Sequence, residues 1–405
     1  MNGDPTPPTA RLLDFTRLLR RAGRTWTGVD RVELAYMEAL LEDAIPAWGL
    51  ARTPIGYVLL DQKGLSAFYD RLMDAQEWSQ PDFLSRLQKN WPAAARQALT
   101  DVRKLAIGRC LPQGLARMLK CHLPADTAYL NTGHSNLSDR VLRAVRNIPR
   151  ARIAVLVHDV IPLEYPHYQR EGTVAAFEQK MRRVQAHADL IIYNSADTQT
   201  RTEAVMMPWG TPPNGIVAHL GTVPSVPDPV ALPKGLPPEA PYFITVGTIE
   251  PRKNHTLLLD VWDRLGADAP MLLICGGRGW NNDAVFARLD SLGPDARVRE
   301  VSGLTDGALA ALVQGAHCLL FPSHAEGYGL PAVEALALGT PVLCSNMATF
   351  HEIIGKKGIY VDDSTPIVWE EFVVNWSKQA RDTSRVTGFE AHTWDAHFKT
   401  ALRFT

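Results

Sequence analysis

No apolar run in this 405-residue sequence approaches the ~20 residues that a membrane span needs. Its first residues, MNGDPTPPTARLLDF, lack the basic start and apolar core of a secretory leader. Cysteine is scarce. Cys110, Cys121, Cys275, Cys318 and Cys344 show no CxxC spacing, and three of them sit in apolar strand patterns, as buried reduced thiols do. These absences make the cytoplasm the expected compartment. Charge of one sign is not in excess either: 42 basic against 43 acidic residues give a nucleic-acid partner no whole-chain electrostatic support. What the chain does have is apolar material, 46% of it, over a length sufficient for two domains with their own cores.

After a proline-rich tail, Arg11 to Arg21 reads as a basic amphipathic segment. In the following AGRTWTGVDRVELAYMEALL, Gly23 and Gly28 punctuate the chain, Asp30 stands where a helix cap would, and Val32, Ala35, Tyr36 and Leu40 recur at helical spacing. A turn before a core helix accounts for this as well as a ligand loop does. Pro54–Leu60, Thr127–Leu130 and Arg152–Val157 read as strands. Between the first two, Leu65 to Cys121 reads as a helical insertion too long for a standard crossover. Its part from Arg71 to Lys120 carries nine basic and four acidic residues, interleaved with Trp78, Phe83, Leu84, Trp91 and Leu105. Such a surface suits anionic lipid, at about 1 kcal/mol per basic residue, and suits a merely solvated face equally well.

Polar residues gather where the strands end. NTGHSNLSD places His134 and Asn136 after one strand, with Ser138 or Asp139 as a helix cap; HDVIPLEYP places His158 and Asp159 after the next, and Asn194 and Ser195 follow a third. Ligands of open α/β sheets bind at such carboxyl ends. Ile216 to Leu220 reads as the last strand of this half. Seven prolines between Pro224 and Pro241 can neither pack as helix nor pair as a central strand, and mark a boundary. The second half alternates strand and helix with the regularity of a parallel sheet covered by helices. Its strand-end loops are GTIEPRKN, with Arg252 and Lys253; CGGRGW, with Gly276 and Gly277; and VSGLTD, with Ser302 and Gly303.

The densest stretch is CLLFPSHAEGYGLPAVEALALGTPVLCS, Cys318 to Ser345. Cys318–Phe321 reads as a strand, Pro331–Leu338 as a helix with proline at its first position, and Pro341–Cys344 as the start of the next strand. Gly327 and Gly329 let backbone approach a ligand. The helix end is a ready anion site flanked by two carboxylates, Glu326 and Glu334. Paired glutamates also occur on plain helices, so the pair alone does not decide.

PSHAEGYGLPAVEALALGTPV resembles the donor-site signature of retaining nucleotide-sugar glycosyltransferases of the GT-B fold, in particular the large family 4. The resemblance implies an α/β protein of two Rossmann-like doubly wound domains with a cleft between them. Residues 1–222 would form the acceptor-binding domain, with the helical insertion at about 65–121. Residues 223–240 would be the linker, 241–388 the nucleotide-sugar domain, and 389–405 a helix crossing back to the first domain; in it, Trp394 and Phe398 form a helical pair. The same resemblance assigns Glu326 to the donor sugar, the loop Gly327–Tyr328 and the backbone of Gly329 and Leu330 to the donor with its diphosphate, and Glu334 to the ribose. It assigns Arg252 and Lys253 to the diphosphate and the backbone of Ser302 and Gly303 to the base, and it places His158 beside the transferred sugar. Asp159 would orient His158 or touch the acceptor. Gly28, Val29 and Arg31 correspond to a glycine loop against the phosphates and the acceptor, while His134, Asn194 and Gly277 are further pocket candidates. One departure stands out: Gly247-Thr248 replaces the usual Gly-Arg, so Arg252 and Lys253 carry more charge, helped by Arg31 or Arg278.

The reaction so implied transfers a hexose, best read as mannose from GDP-mannose, with retention. The acceptor would be a glycan or lipid-linked saccharide of surface polysaccharide, reached from the cytoplasm or peripherally at the inner membrane face. The GTIEPRKN and HDVIPLEYP wordings resemble bacterial O-antigen and exopolysaccharide mannosyl- or rhamnosyltransferases. No DxD pair occupies a strand-end loop, and Asp362-Asp363 is unsuited to a diphosphate clamp, so chemistry without metal or other cofactor is expected. A phosphorylase or epimerase on the same frame, or a non-catalytic nucleotide-sugar-binding partner of an assembly complex, are the alternatives.

Overall fold

The structure, a computed structural model, describes residues 6–238, 241–362, 366–381 and 383–405. Asp363, half of the late aspartate pair, lies outside them. The first half builds an eight-stranded sheet from β1 (Ala10–Asp14), β2 (Ala47–Arg52), β3 (Tyr57–Leu60), β4 (Gly108–Cys110), β5 (Thr127–Asn131), β6 (Arg152–Val157), β7 (Leu190–Tyr193) and β8 (Gly215–Val217). The second builds a six-stranded sheet from β9 (Tyr242–Val246), β10 (Met271–Cys275), β11 (Val298–Val301), β12 (Cys318–Phe321), β13 (Val342–Ser345) and β14 (Gly358–Val361).

The strand orders are β4-β3-β2-β1-β5-β6-β7-β8 and β11-β10-β9-β12-β13-β14. All pairings are parallel except β2 with β3 and β3 with β4. Each sheet begins in its middle, grows one way, and then resumes on the other side of its first strand. The order therefore reverses between β1 and β5 in one sheet and between β9 and β12 in the other. Crevices open at such reversals, outside the carboxyl ends of the strands. The loops that leave β1, β9 and β12 are thus placed by topology to form a site.

The sheets read as apolar runs because helices cover both faces. Every residue of β1, β3, β5, β7, β12 and β13 is buried. The basic segment Arg11–Arg21 divides between two elements. ARLLD is a central strand, and only Thr16–Arg21 is helical. A buried arginine disguised it. The Arg11 guanidinium is satisfied by Asp43 at 2.5 Å and by the carbonyls of Leu402 and Thr405, nearly four hundred residues away in sequence. β2 was also unforeseen. The insertion is not helical throughout: Gly108–Cys110 interrupts it as an edge strand antiparallel to β3.

The proline-rich segment is docked, with Asp228 N–H donating to the Gly307 carbonyl at 2.9 Å. The C-terminal helix Trp394–Ala401 lies against the first half, where His397 Nε2 meets the Tyr36 hydroxyl at 2.9 Å and the Phe398 ring packs edge-on against Tyr36. Among the described residues no helix is long and apolar enough to cross a membrane.

Candidate functional site

Loops at the carboxyl ends of strands from both sheets, those after β1, β6 and β7 in the first and after β9 to β12 in the second, enclose a cleft of about 600 Å³ between the sheets. From the first half it is lined by Gly28 and Arg31, His158 and Asp159, and Asn194; from the second by Gly247, Thr248, Arg252, Lys253, Gly277, Ser302 and Gly303; and by the run Glu326, Gly327, Tyr328, Gly329, Leu330 and Glu334.

Local chemistry explains each element. The helix after β12 spans Leu330–Ala337, one residue earlier than expected. Gly329 is its N-cap at φ 86°, a conformation that favours glycine, and no side chain caps the helix. Its leading N–H groups and partial positive charge are therefore offered to the cleft. Arg252 and Lys253 sit on a single turn, Pro251–Lys253, which ends at Asn254 in the left-handed region. Asn254 then caps the helix His255–Leu265 through Leu257 N–H. In the first half Thr27, and not Asp30, is the N-cap of Gly28–Glu42; Asp30 at the third helical position closes a capping box.

The charged centre is Glu326. Its Oε1 accepts from Lys253 Nζ at 2.5 Å and lies 3.0 Å from Arg252 Nη1, while Arg252 Nε is held 2.7 Å from Glu250 Oε1. Burial pushes the Glu326 carboxyl up, but Arg252 and Lys253 outweigh it and hold it at about 2. One carboxylate faces two cations. Lys253 is correspondingly less well compensated, and its burial lowers its own pKa. The stem of Lys253 is packed against Gly247 and its ammonium lies 4.5 Å from the centre of the Phe321 ring. Glu250, buried and raised by that burial, completes the cluster and was not singled out from the sequence, although it stands inside GTIEPRKN.

Eight residues on from Glu326, Glu334 is met from across the cleft. Arg31 Nη1 lies 2.7 Å from Glu334 Oε1, and Arg31 Nη2 3.1 Å from Asp306. The charge of Arg31 thus reaches the cleft. Arg278, the other helper considered for the missing Gly-Arg cation, does not. Its guanidinium turns to Asp290 at 2.6 Å and Glu300 at 2.7 Å and covers the Phe286 ring. Two carboxylates outside the lining satisfy it there.

His158 lies in the lining and is buried; its Nε2–H donates to the Thr132 carbonyl at 2.6 Å. Burial lowers its pKa to about 4, so the ring is neutral at pH 7 with Nδ1 as its acceptor. Asn194 Nδ2–H donates to the His158 carbonyl at 2.9 Å. Asp159 Oδ1 accepts from Ile161 N–H, and burial raises its carboxyl. His134 is a correction: it does not line the cleft. It takes φ 53° and bonds the Leu156 carbonyl at 2.7 Å, packing its ring 5.3 Å from that of His158 as a support behind it.

Contacts that no motif announces hold the two walls together. Glu352 accepts from the N–H groups of Ala196 and Asp197, capping a first-half helix from the second half. Arg201 donates to the Glu326 carbonyl at 3.0 Å and Thr198 to the Gly327 carbonyl at 3.1 Å. These residues are far apart in sequence, and only periodic helix patterns surround them.

Residues 233–377 match the family described as glycosyl transferases group 1. The chain is 30% identical over 238 residues to the serotype-specific mannosyltransferase WbdA of Escherichia coli, covering 55% of this chain and 29% of WbdA. It is 34% identical over 124 residues to the O-antigen chain mannosyltransferase B of Escherichia coli, covering 30% of this chain and 32% of that protein. The chain thus spans about three-tenths of the length of these relatives. Among solved structures, Anabaena HepE in complex with UDP-glucose aligns at a TM-score of 0.61 with 13% identity, over 98% of this chain and 95% of that one. The fold is GT-B.

Proposed function

We propose that this GT-B protein, with a group 1 glycosyl transferase domain in its second half, is a retaining glycosyltransferase. It moves mannose from GDP-mannose to a glycan or lipid-linked saccharide during surface polysaccharide synthesis. The observation that carries this reading is one arrangement: Arg252 and Lys253 converge on Glu326 beside the uncapped helix at Gly329, with Glu334 eight residues on, all in one cleft.

Cleavage of a sugar–diphosphate bond leaves negative charge on the departing phosphate. In this reading Arg252, Lys253 and the N–H groups after Gly329 meet that charge, and loss of one such donor raises the barrier by about 3 kcal/mol. Glu326, kept ionised, accepts hydroxyls of the transferred sugar, and Glu334 those of the ribose. Neutral His158 accepts through Nδ1 and steadies the sugar on the face where the acceptor arrives. The acceptor hydroxyl attacks from the side the phosphate leaves, and its proton passes to that phosphate, so the configuration is kept. The mannosyltransferase names of the relatives support mannose, and through it GDP as the carrier.

Location at the inner membrane face is part of the same proposal. Its support is the insertion, where Phe83 is 75% exposed and Leu84 and Leu87 are exposed beside Arg86 and Lys89. The basic surplus there is smaller than the composition suggests. Arg71 and Lys104 face Asp101, and Arg103 faces Asp82.

The test is a thermal-shift panel of GDP-, UDP-, dTDP- and ADP-sugars, with and without divalent metal, followed by transfer from the donor that binds. GDP-mannose at 100 times its dissociation constant should stabilise by about 2.7 kcal/mol. If no nucleotide sugar moves the transition, the donor reading fails and the binding-partner alternative fails with it. If one binds but is never consumed with any saccharide acceptor, the non-catalytic reading takes its place.

A further inference from the structure

Beside the Glu326 end of the cleft, and outside its lining, ring side chains from both halves gather. After β6 the chain makes two short turns, Ile161–Glu164 and Pro166–Tyr168. There the rings of Tyr165 and Tyr168 lie almost parallel, 5.8 Å apart at 10°. Tyr168 continues the column onto His324 of the second half, 5.7 Å away at 17°. Trp280, from the loop after β10, donates its Nε1–H to the Tyr168 carbonyl at 2.9 Å, and Asn281 donates to the Gln169 carbonyl at 2.7 Å. The Arg170 guanidinium covers the Trp280 ring at 5.1 Å.

Two features set this column apart from core packing. Its members are only partly buried, whereas core rings such as Tyr36, Tyr129 and Phe321 are shut away from solvent. It is also tied directly to the charged centre. His324 N–H donates to the Arg252 carbonyl at 2.7 Å, and His324 stands two residues before Glu326. Parallel rings with solvent access present faces of negative potential, which attract the slightly positive C–H groups of a pyranose while its hydroxyls stay in water.

We propose that the Tyr165–Tyr168–His324 column, with Trp280 beside it, is a stacking subsite for a pyranose ring of the acceptor glycan. This rests on the donor reading of the cleft: with the transferred sugar at Glu326, the group next beyond it is the acceptor. Because the column takes rings from both sheets, it exists only when the halves keep this relation, so acceptor capture is coupled to the closed cleft.

The test measures binding of methyl α-D-mannopyranoside by saturation-transfer NMR to the 405-residue chain saturated with GDP, with GDP affinity and melting temperature recorded for every variant. Tyr165→Leu should weaken mannoside binding about 3- to 10-fold, the loss of one ring contact, with GDP affinity unchanged. Trp280→Leu should act in the same direction. Tyr165→Phe should bind like wild type, since the face and not the hydroxyl makes the contact. Unchanged mannoside affinity in Tyr165→Leu and Trp280→Leu, or equal loss in Tyr165→Phe, would overturn the subsite while GDP binding leaves the donor reading standing. Failure of the wild-type protein to bind GDP would remove the donor reading, and the subsite with it.

Discussion

Replacing Glu326 by glutamine tests the charged centre most directly. Its carboxylate is the shared partner of Lys253 at 2.5 Å and Arg252 at 3.0 Å, while Arg252 keeps Glu250. The carboxyl is held at about 2 against an ordinary 4.5. At about 1.4 kcal/mol per pKa unit, this contributes about 3 kcal/mol at neutral pH. The cost of removing one partner of a buried ion pair, about 3–5 kcal/mol, agrees. The folded pKa is depressed, so the stabilisation is complete above about 4.5 and is lost as pH falls towards 2. Glu326→Gln should therefore be less stable than wild type by about 3 kcal/mol at pH 7 in urea unfolding, and by about half as much at pH 3. For a domain of 150–250 residues this is roughly 6–12 °C in melting temperature. A diphosphate brought against Lys253 and Arg252 returns the missing negative charge, so GDP should stabilise the variant more than it stabilises wild type. A gap that stays constant from pH 7 to pH 3 would refute the claim that the two cations hold Glu326 ionised. Equal stabilisation by GDP would refute the claim that those cations face the diphosphate.

Three further outcomes are expected. His158, His255 and His397 are each lowered by burial to about 4, so the unfolded chain takes up protons first and stability should fall as pH drops from about 6.5 to 4; His158→Asn should flatten that slope in a denaturant series, and an unchanged slope would deny the burial of a neutral ring. Gly327→Ala would bring a methyl group to 2.4 Å from the His158 carbonyl across the cleft; small-angle scattering should show a larger radius of gyration with both halves still folded, and an unchanged radius would mean that the walls yield locally. Arg31→Met should cost at most about 1 kcal/mol of stability, since Arg31 and its partners are partly exposed. It should strengthen binding of the uncharged nucleoside guanosine by freeing Glu334, as read by calorimetry; weaker guanosine binding would show that Arg31 contacts the nucleoside itself.

Much of the site was legible because it is built from short stretches at strand ends. Glycines that allow close approach, a basic pair after a strand, and two glutamates around an uncapped helix are local patterns, and each carries its chemistry whatever the distant sequence does. Individual side chains were less legible. His134 and Arg278 sit next to lining residues, but a side chain goes where its strongest partner is. His134 found the Leu156 carbonyl and Arg278 found Glu300 and Asp290, all out of the cleft. β1 was not read as a strand for a similar reason: Arg11 looks like a surface residue until the carbonyls at the chain's end are brought to it.

By itself, then, the sequence determined the alternating α/β architecture and the residue types at the strand ends, since propensity and periodicity act over a few residues. Only the tertiary structure decided which of those ends meet. The pairing of Arg31 with Glu334, the capping of a first-half helix by Glu352, and the ring column from Tyr165 to His324 join positions more than 150 residues apart. No local signal encodes them, because they follow from where each sheet reverses its strand order and from the packing of the two halves across the cleft.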